Sequence, residues 1–365
     1  MRKLIAISVV FALIAGASFA QTAVSGSLSV RAKLIDDKLD DQENTATTSG
    51  QIETAYVQLS GQNDDGTFGG LIRLRGNEAG GAYHRVFAWW KPIPQLNVFL
   101  GQDPDGKFGP YNAWSFFQGQ ESYAHDHDWG AWRAAFPGNW DTFGLALSIY
   151  PIQGLEVDII VPFGANNNAS KNFNDLFFGS LQLAVVYGIP DIGQVFLNVL
   201  GPGSDIFTDG THNNYGTIGF SFLLTAVPGI NVQVGFSTII PGDVEDYPIN
   251  LALIANYNGE GFGVKLRSRF VLGSGSGATA NKDYVQIGVD VQPWISLGPV
   301  TAYLDIGFIT TDNGTTAVSQ FILNPYIRMG FGGGSLRFGV LFKDPNLEVD
   351  KDAAISLPLT FGYSF

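Results

Sequence analysis

The feature that most constrains the fold of this chain is a regular alternation of apolar and polar residues. In residues 25–34, SGSLSVRAKL, small or apolar side chains at even positions alternate with serine, arginine and lysine at odd positions. A β-strand places successive side chains on opposite faces, so a two-residue period predicts a strand with one apolar and one polar face. The same period recurs over 55–61, 70–76, 85–91, 263–270, 283–292, 300–308 and 335–343. No segment shows a helical period of comparable strength, so the sequence predicts an all-β protein.

Short and long connections alternate between the predicted strands. Turns rich in Pro, Gly, Asn and Asp lie at 63–67, 92–95, 151–154, 189–193, 226–229, 258–261, 293–298 and 331–334. Longer connections lie near 35–50, 76–84, 103–142, 164–175, 201–213, 238–247, 272–282, 309–319 and 344–352. This alternation predicts a transmembrane antiparallel up-and-down β-barrel with both termini on the short-turn side. Counting the segments gives about 18 strands, and weak strand patterns near 96–102, 144–150 and 194–200 leave a count of about 16 open.

The N-terminus has the pattern of an export signal. Arg2 and Lys3 precede a short apolar run, and Ser18-Phe19-Ala20 then supplies the small residues at which a signal peptidase cleaves. The apolar run is shorter than the roughly 20 residues that a membrane-spanning helix needs. We therefore expect residues 1–20 to be a secretory signal peptide, cleaved near Ala20, and residues 21–365 to form a single barrel domain.

The composition excludes several classes of function. The chain has no cysteine, which rules out a disulfide framework and a thiolate metal site. Its formal net charge is −13, which becomes −15 when the two positive charges of Arg2 and Lys3 leave with the signal, and this acidic balance argues against nucleic acid as a partner. No Ser/His/Asp set has the spacing of a nucleophile motif. We therefore expect no enzymatic activity and no cofactor.

The last residues carry a second motif. Leu359, Phe361, Tyr363 and Phe365 occupy alternate positions, and the sequence closes on an aromatic residue. This ending resembles the C-terminal signature of outer-membrane β-barrel proteins, and with the export signal and the amphipathic strands the chain resembles the bacterial porin class. The motif indicates a class and not a particular family. The resemblance implies the outer membrane of a diderm bacterium, contact with its lipid, insertion by the barrel-assembly machinery, and compatibility with a homo-oligomer such as a trimer.

The basic residues of the predicted strands share the polar face. They are Arg31, Lys33, Arg73, Arg75, Arg85, Lys91, Lys265, Arg267, Arg269, Arg328, Arg337 and Lys343. Five acids have the same parity: Glu53, Glu156, Asp158, Asp290 and Asp305. A barrel of roughly 16 to 18 strands encloses a water-filled channel, so the polar face becomes the channel wall. Twelve bases against five acids make this wall positive, and rings of Lys or Arg favour anions in a pore. The sequence predicts a mild anion preference, with bases that merely solvate a wide wall as the alternative.

The third long connection, 103–142, is the longest. At about 40 residues it exceeds the usual length of a structureless loop, and its aromatic content favours packing. In porins a third extracellular loop folded into the barrel narrows the pore, and the resemblance implies this role here, with Glu121, Asp126 and Asp128 facing the basic wall. An outward cap and two extra short strands stay open as alternatives. His125 and His127 lack a further ligand, so no metal site is predicted.

Aromatic residues near the strand ends suit two roles. A girdle at the membrane interfaces would include Trp89, Trp90, Tyr150, Phe163, Tyr187, Tyr257, Trp294, Tyr363 and Phe365. An aromatic track on the channel wall would include Phe87, Trp89, Tyr303 and Tyr326.

From the strand pattern, the basic wall and the resemblance, we predict a porin through which small hydrophilic solutes diffuse passively. The alternatives are a substrate-specific channel for a sugar or a hydrophobic compound, a surface-exposed barrel that acts as an antigen or adhesin, and a membrane-embedded hydrolase, which the scarcity of histidine disfavours.

Overall fold

A computed structural model of the chain shows one closed antiparallel sheet. The structure describes residues 21–38, 47–77, 80–102, 143–162, 181–200, 216–240, 249–274, 281–344, 347 and 353–365. The predicted signal segment 1–20 and the long connection 103–142 lie outside these ranges. Within them, no helix combines the length and the apolar character that crossing a membrane requires.

The sheet is built from strands that follow one another along the chain. They are β1 (Gln21–Lys38), β2 (Thr47–Gln62), β3 (Phe68–Asn77), β4 (Gly80–Ile93), β5 (Leu96–Gln102), β6 (Phe143–Ile152), β7 (Leu155–Pro162), β8 (Gln182–Ile189), β9 (Gly193–Leu200), β10 (Gly216–Leu224), β11 (Ile230–Ile240), β12 (Ile249–Asn258), β13 (Phe262–Ser274), β14 (Asn281–Leu297), β15 (Val300–Asp312), β16 (Ala317–Phe331), β17 (Gly334–Gly339), β18 (Leu341–Asp344) and β19 (Ala354–Ser364). Apart from β17 and β18, which each pair with β16 and β19, every strand pairs antiparallel with its neighbours in sequence, and β1 pairs with β19 to close the barrel.

β17 and β18 are two parts of one barrel strand. Both pair with β16 on one side and β19 on the other, and the register continues unchanged from Phe338 opposite Leu359 to Leu341 opposite Ser356. That register places Pro358 opposite Gly339, where the ladder is interrupted. Proline has no backbone N–H, so it cannot donate a ladder hydrogen bond at this point. The described residues therefore form 18 barrel strands, which confirms the predicted fold class and strand number.

The described strands are joined by eight short turns at one end, and each of them overlaps a predicted turn. The two-residue turn before β15 depends on Gly298, whose φ of 65° is the left-handed value needed at the first central position of a type II′ turn. The turn between β2 and β3 is fixed by the Asp65 carboxylate, which accepts hydrogen bonds from the Thr67 backbone N–H at 3.0 Å and hydroxyl at 2.6 Å. These bonds lower the pKa of Asp65.

Two of the predicted long connections are shorter than expected. β3 continues to Asn77 and β4 begins at Gly80, where the sequence predicted a connection over 76–84. Between β15 and β16 only residues 313–316 remain outside the strands, against a predicted 309–319. The Asn313 carboxamide oxygen accepts the backbone N–H groups of Thr315 and Thr316 at 2.9 and 2.8 Å, and so closes a tight reversal.

The two faces of each strand differ in burial, as β11 illustrates. Gln233 and Ser237 are 3% and 1% exposed and lie inside the barrel, whereas Val234 and Phe236 are 51% and 38% exposed on the outside. The exposed large apolar side chains therefore lie on the outer surface, whereas the inner surface carries the buried polar side chains together with some buried apolar ones. This is the distribution of a protein surrounded by hydrocarbon, because lipid replaces water as the outer solvent.

The seam between the first and last strands is closed to the final residue. Gly26 donates its N–H to the Phe365 carbonyl at 2.9 Å and accepts the Phe365 N–H at 3.1 Å. The Phe365 ring lies over Gly26, where an added Cβ would be 2.4 Å from the Phe365 Cζ and 2.9 Å from the Tyr56 carbonyl oxygen. A glycine at this position therefore allows the terminal aromatic ring to lie flat against β1.

We predict that Gly26→Ala lowers the free energy of unfolding of the barrel by about 1–3 kcal/mol, because the new methyl group overlaps the Phe365 ring and a backbone carbonyl. Urea unfolding of the barrel refolded in lipid vesicles measures the change. Gly76→Ala is the matched control, since no heavy atom lies within 4 Å of a Cβ at Gly76. Equal destabilisation by the two variants would show that the ring contact does not constrain the seam.

Candidate functional site

The inner wall carries most of the residues that the sequence assigned to a channel. Of the predicted bases, Arg267 and Arg269 are buried and Lys91 is exposed at the short-turn end. The partly exposed bases are Arg31, Lys33, Arg73, Lys265, Arg328, Arg337 and Lys343. The backbones of Arg75 and Arg85 belong to β3 and β4 and that of Glu53 to β2, but their side chains lie outside the described part. Glu121, Asp126 and Asp128 belong to the segment 103–142, which is not described.

The basic residues of the described strands are confined to one side of the barrel. Ten adjacent barrel strands, from β13 through β19 and β1 to β4, contain every lysine and arginine of the described strands. We call this part the basic sector. The remaining eight, β5 to β12, contain none, and their only charged residues are Glu156 and Asp158. The sequence predicted a positive wall but not this division, which follows from closure of the chain into a ring.

A buried ion pair lies at the centre of β13 and β14. The Arg267 guanidinium donates to the Asp290 carboxylate from Nη2 at 2.9 Å and from Nε at 3.1 Å, and the two residues are 1% and 3% exposed. Two residues further along β13, Arg269 donates to the Gln286 side-chain oxygen, and Gln286 donates to Thr311 at 2.9 Å. These bonds hold two of the predicted wall bases in fixed positions against their neighbours.

Asp305 is held by amides from both neighbouring strands. Its carboxylate accepts Nε2 of Gln292 at 2.6 Å and Nδ2 of Asn324 at 3.2 Å. Gln292 also donates to the Tyr326 hydroxyl at 3.3 Å, so four wall residues of β14, β15 and β16 form one network. Such amide donors stabilise a carboxylate inside the barrel without neutralising it.

Three arginines come together where the basic sector crosses the seam. Arg328 of β16 lies directly opposite Arg337 of β17, which lies opposite Thr360 of β19, and Thr360 is in turn paired with Arg31 of β1. Arg31 and Arg337 are separated by about 300 residues in sequence, so only barrel closure makes them neighbours. Further around the sector, Arg73 donates to the Gln58 side-chain oxygen at 2.8 Å and lies 4.5 Å from the centroid of the Tyr56 ring.

The opposite side of the wall is neutral to acidic. Tyr150 donates its hydroxyl proton to Glu156 at 3.0 Å and accepts the Asn97 amide at 3.2 Å. Asp158, two residues after Glu156 on β7, is fully buried and lies opposite Ser148. Beside these residues lies an apolar patch made of Ala146, Ile160 and Ala184, with Phe99 packed against it.

The predicted aromatic girdle is wrong at three positions. Trp89 lies over Gly69 of the wall face, Tyr150 bonds to wall residues, and Trp294 has the same parity as the buried Gln292. These three side chains therefore belong to the inner wall. Other members of the girdle are exposed on the outer surface, namely Trp90, Tyr187, Tyr257, Tyr363 and Phe365. Phe163 is outside the described residues.

Solvent reaches little of the wall at mid-height. Ser148 and Gln292 are 0% exposed and Asn324 is 1% exposed, although a barrel of this size is too wide for its own side chains to fill. Among the described strands, extensive contacts occur only between hydrogen-bonded neighbours, so opposite walls do not cover one another. In the same part of the chain no group of three or more His, Asp or Glu residues is arranged to hold a metal ion.

The contribution of the buried Arg267–Asp290 pair to the stability of the barrel can be tested by substitution. We predict that Asp290→Ala lowers the free energy of unfolding by about 3–5 kcal/mol, because it leaves a buried guanidinium without its carboxylate. The double variant Arg267→Met with Asp290→Leu should recover most of this loss, since it removes both charges. Urea unfolding in vesicles measures both changes. Equal losses of unfolding free energy in the single and double variants would mean that the destabilisation comes from lost packing and not from an uncompensated charge.

Comparison with known proteins supports the fold. No protein-family model matches the chain, and no curated protein matches it in sequence. Solved structures do: OmpF of Salmonella typhi, in complex with daunomycin, matches at 11% identity with a TM-score of 0.54, covering 94% of this chain and 97% of its own. A loop L8 deletion mutant of OmpT of Vibrio cholerae matches at 10% identity and a TM-score of 0.52, with 94% and 99% covered. The outer membrane channel DcaP of Acinetobacter baumannii matches at 10% and 0.50, with 94% and 97% covered. The chain has a porin-like fold, a closed antiparallel β-barrel of the outer-membrane type.

Proposed function

We propose that this protein is an outer-membrane porin that lets small hydrophilic solutes diffuse passively through its barrel. The observation that carries the proposal is the closed sheet with exposed apolar side chains outside and a largely polar wall inside, on which one sector carries the bases. An apolar exterior of strands is suited to lipid, and a polar interior is suited to water and dissolved ions. The export signal predicted at 1–20 and the C-terminal motif Leu359–Phe365 are consistent with assembly in the outer membrane of a diderm bacterium.

The charge distribution favours anions. Cations that line one sector of a low-dielectric wall raise the local concentration of anions, and the effect is largest where the conduit is narrow. The neutral to acidic strands β5 to β12 lie across the barrel from this sector. A dissolved anion therefore has a favoured path along β13 to β19 and β1 to β4, with Arg31, Arg328 and Arg337 at its centre.

We further propose that the segment 103–142 enters the barrel and narrows it. The deep burial of Ser148, Gln292 and Asn324 on the inner wall supports this, because a wide barrel filled only with water would leave wall side chains accessible to solvent. The segment joins β5 to β6 at the end opposite the short turns, and it has the length to reach them. Glu121, Asp126 and Asp128 would then face the cations of the basic sector.

We also propose partners other than solutes. The exposed apolar residues suit outer-membrane lipid, and the aromatic terminus suits recognition by the barrel-assembly machinery. OmpT of Vibrio cholerae has been solved in a trimer form, with a TM-score of 0.51 and 9% identity to this chain. A homotrimer is the assembly we propose to look for first.

The first test measures ion selectivity. In a planar bilayer under a KCl gradient, the reversal potential should indicate permeation of chloride over potassium. Replacing Arg31, Arg328 and Arg337 together by glutamine should shift the permeability ratio towards one, because it removes three positive charges from the wall. Replacing the same three residues by lysine keeps the charge and should preserve the preference. A cation preference of the unaltered protein, or an absence of conductance, would refute the proposal.

The second test addresses the segment 103–142. Deleting residues 115–130 should raise the single-channel conductance, since it removes chain from the narrowest part of the conduit. A deletion of residues 204–212, in the connection between β9 and β10, is the control and should leave the conductance unchanged. If the first deletion has no effect on conductance in correctly folded protein, the segment lies outside the barrel.

A further inference from the structure

Two aromatic side chains lie opposite each other on the inner wall, close to the short turn between β14 and β15. Trp294 of β14 is directly paired with Tyr303 of β15, and both have the parity of the buried Gln292 and Asp305. Both rings are partly exposed, unlike Tyr326 of β16, which is 4% exposed. We call Trp294 and Tyr303 the aromatic pair.

The surroundings of the aromatic pair decide which ring faces are open to a ligand. The Tyr326 ring stacks on Tyr303, with centroids 4.8 Å apart and planes 6° from parallel, so only the other face of Tyr303 can receive a ligand. The Trp294 indole leans over Gly263 of β13, where an added Cβ would be 2.7 Å from its Cε2 and Nε1 atoms. A ring placed on the free face of Tyr303 therefore lies beside the indole. Arg337 lies on the far side of Tyr326, 5.4 Å from the centroid of that ring, and takes no part.

Polar groups lie on both sides of the aromatic pair along the same two strands. Towards the short turn, Ser296 is paired with Thr301, and their hydroxyl oxygens are 3.3 Å apart. We call these two residues the hydroxyl pair. Towards the middle of the barrel lies Asp305, whose carboxylate accepts amide bonds from Gln292 and Asn324 and has about four acceptor positions in all. Two residues along a strand span roughly 7 Å, so one such step separates the aromatic pair from each polar row.

The hydroxyl pair is the accessible part of this polar frame. Ser296 is exposed and Thr301 is partly exposed, whereas Asp305 is 6% exposed. A hydroxyl donates one hydrogen bond and accepts two, so beyond the bond between its members the pair still offers a donor and several acceptors. A ligand hydroxyl also donates and accepts, and it can use both. A carboxylate only accepts and an ammonium only donates, so each would use half of what the pair offers.

A pyranose sugar combines the two features that this part of the wall requires. Its C–H groups form an apolar face that can pack on an aromatic ring, and its hydroxyls lie around the edge of the ring. With that face on Tyr303, the hydroxyls extend along the strands in both directions, towards the hydroxyl pair and towards Asp305. A flat aromatic solute would match the rings but would displace water from the hydroxyl pair without replacing its hydrogen bonds. An open-chain polyol would match the hydroxyls but has no such face.

We propose that the aromatic pair and the hydroxyl pair form a binding subsite for a pyranose sugar at the short-turn end of the barrel. The C–H face of the sugar packs on Tyr303 beside the Trp294 indole. Its hydroxyls bond to Ser296 and Thr301 at one edge and to the Asp305 carboxylate at the other. The inference names a solute class for the proposed porin and rests on that function for its biological meaning, but binding at the subsite is measurable without any ion current.

The test is titration of the purified, folded barrel with methyl β-glucoside, followed by saturation-transfer NMR in a detergent without a sugar head group. The glucoside should bind more tightly than sorbitol, which is as rich in hydroxyls but has no ring. Tyr303→Leu should raise the Kd for the glucoside about fivefold, as expected for loss of one aromatic contact. Thr301→Val should also raise it about fivefold, because it removes one hydrogen-bonding hydroxyl and keeps the shape of the side chain.

Each of these variants has a matched control on the outer face of the same strand, β15. Phe308→Leu removes an aromatic ring that is 38% exposed on the outside. Thr310→Val removes a hydroxyl of the same parity as Phe308, one that bonds to Ser319 at 3.1 Å. Both controls should leave the Kd for the glucoside unchanged, since neither side chain faces the inside of the barrel.

Several outcomes would overturn the proposal. They are an absence of glucoside binding, equal binding of sorbitol, tighter binding of benzoate or of choline, and an unchanged Kd in folded Tyr303→Leu or Thr301→Val protein. Failure of the porin function would appear separately, as an absence of ion current in bilayers, whatever the result for the glucoside.

Discussion

Hydrogen bonding between the first and last strands is the constraint on which the rest of this barrel depends. In hydrocarbon, each backbone N–H and C=O group must find its partner within the protein, so a sheet can span a membrane only if it has no open edge. β1 and β19 satisfy this through a ladder that runs from Ser27 opposite Ser364 to Lys38 opposite Ala354. The two backbone bonds between Gly26 and Phe365 extend it to the last residue. The backbone of Phe365 is thus part of the closed sheet, and Gly26 leaves space for its ring.

Closure also decides where the charges lie. In an up-and-down barrel, neighbours in sequence are neighbours in space, so a stretch rich in basic residues becomes an arc of the wall. This chain has two such stretches, one in β1 to β4 and one in β13 to β18, with eight uncharged or acidic strands between them. Pairing of β1 with β19 joins the two arcs into one sector. The electrostatic asymmetry of the conduit is therefore a direct consequence of the same pairing that removes the sheet edge.

Much of the fold could be predicted because its determinants are local. Alternation of apolar and polar residues predicts the strands, and Gly, Asn, Asp and Pro predict the turns. The short turns and the number of strands in the structure therefore agree with the predictions from sequence. Connections such as 313–316 were predicted too long, because the Asn313 side chain substitutes for backbone partners in a way that composition does not reveal. Trp294 was assigned to the girdle from its place near a strand end, although counting in steps of two from Asp290 puts it on the wall. The buried ion pair of Arg267 joins two strands, and a pairing partner on another strand is not contained in any local pattern.

The geometry changes the meaning of the predicted excess of bases. Arg267 shares its charge with Asp290 at 2.9 Å, so this pair contributes little to the electrostatic field inside the barrel. Arg328 and Arg337 lie directly opposite one another, and like charges directly across a strand pair repel one another. Under the proposed function, an anion close to both guanidinium groups would offset this repulsion. The proposed anion preference therefore depends on the position of the bases along the wall more than on their number.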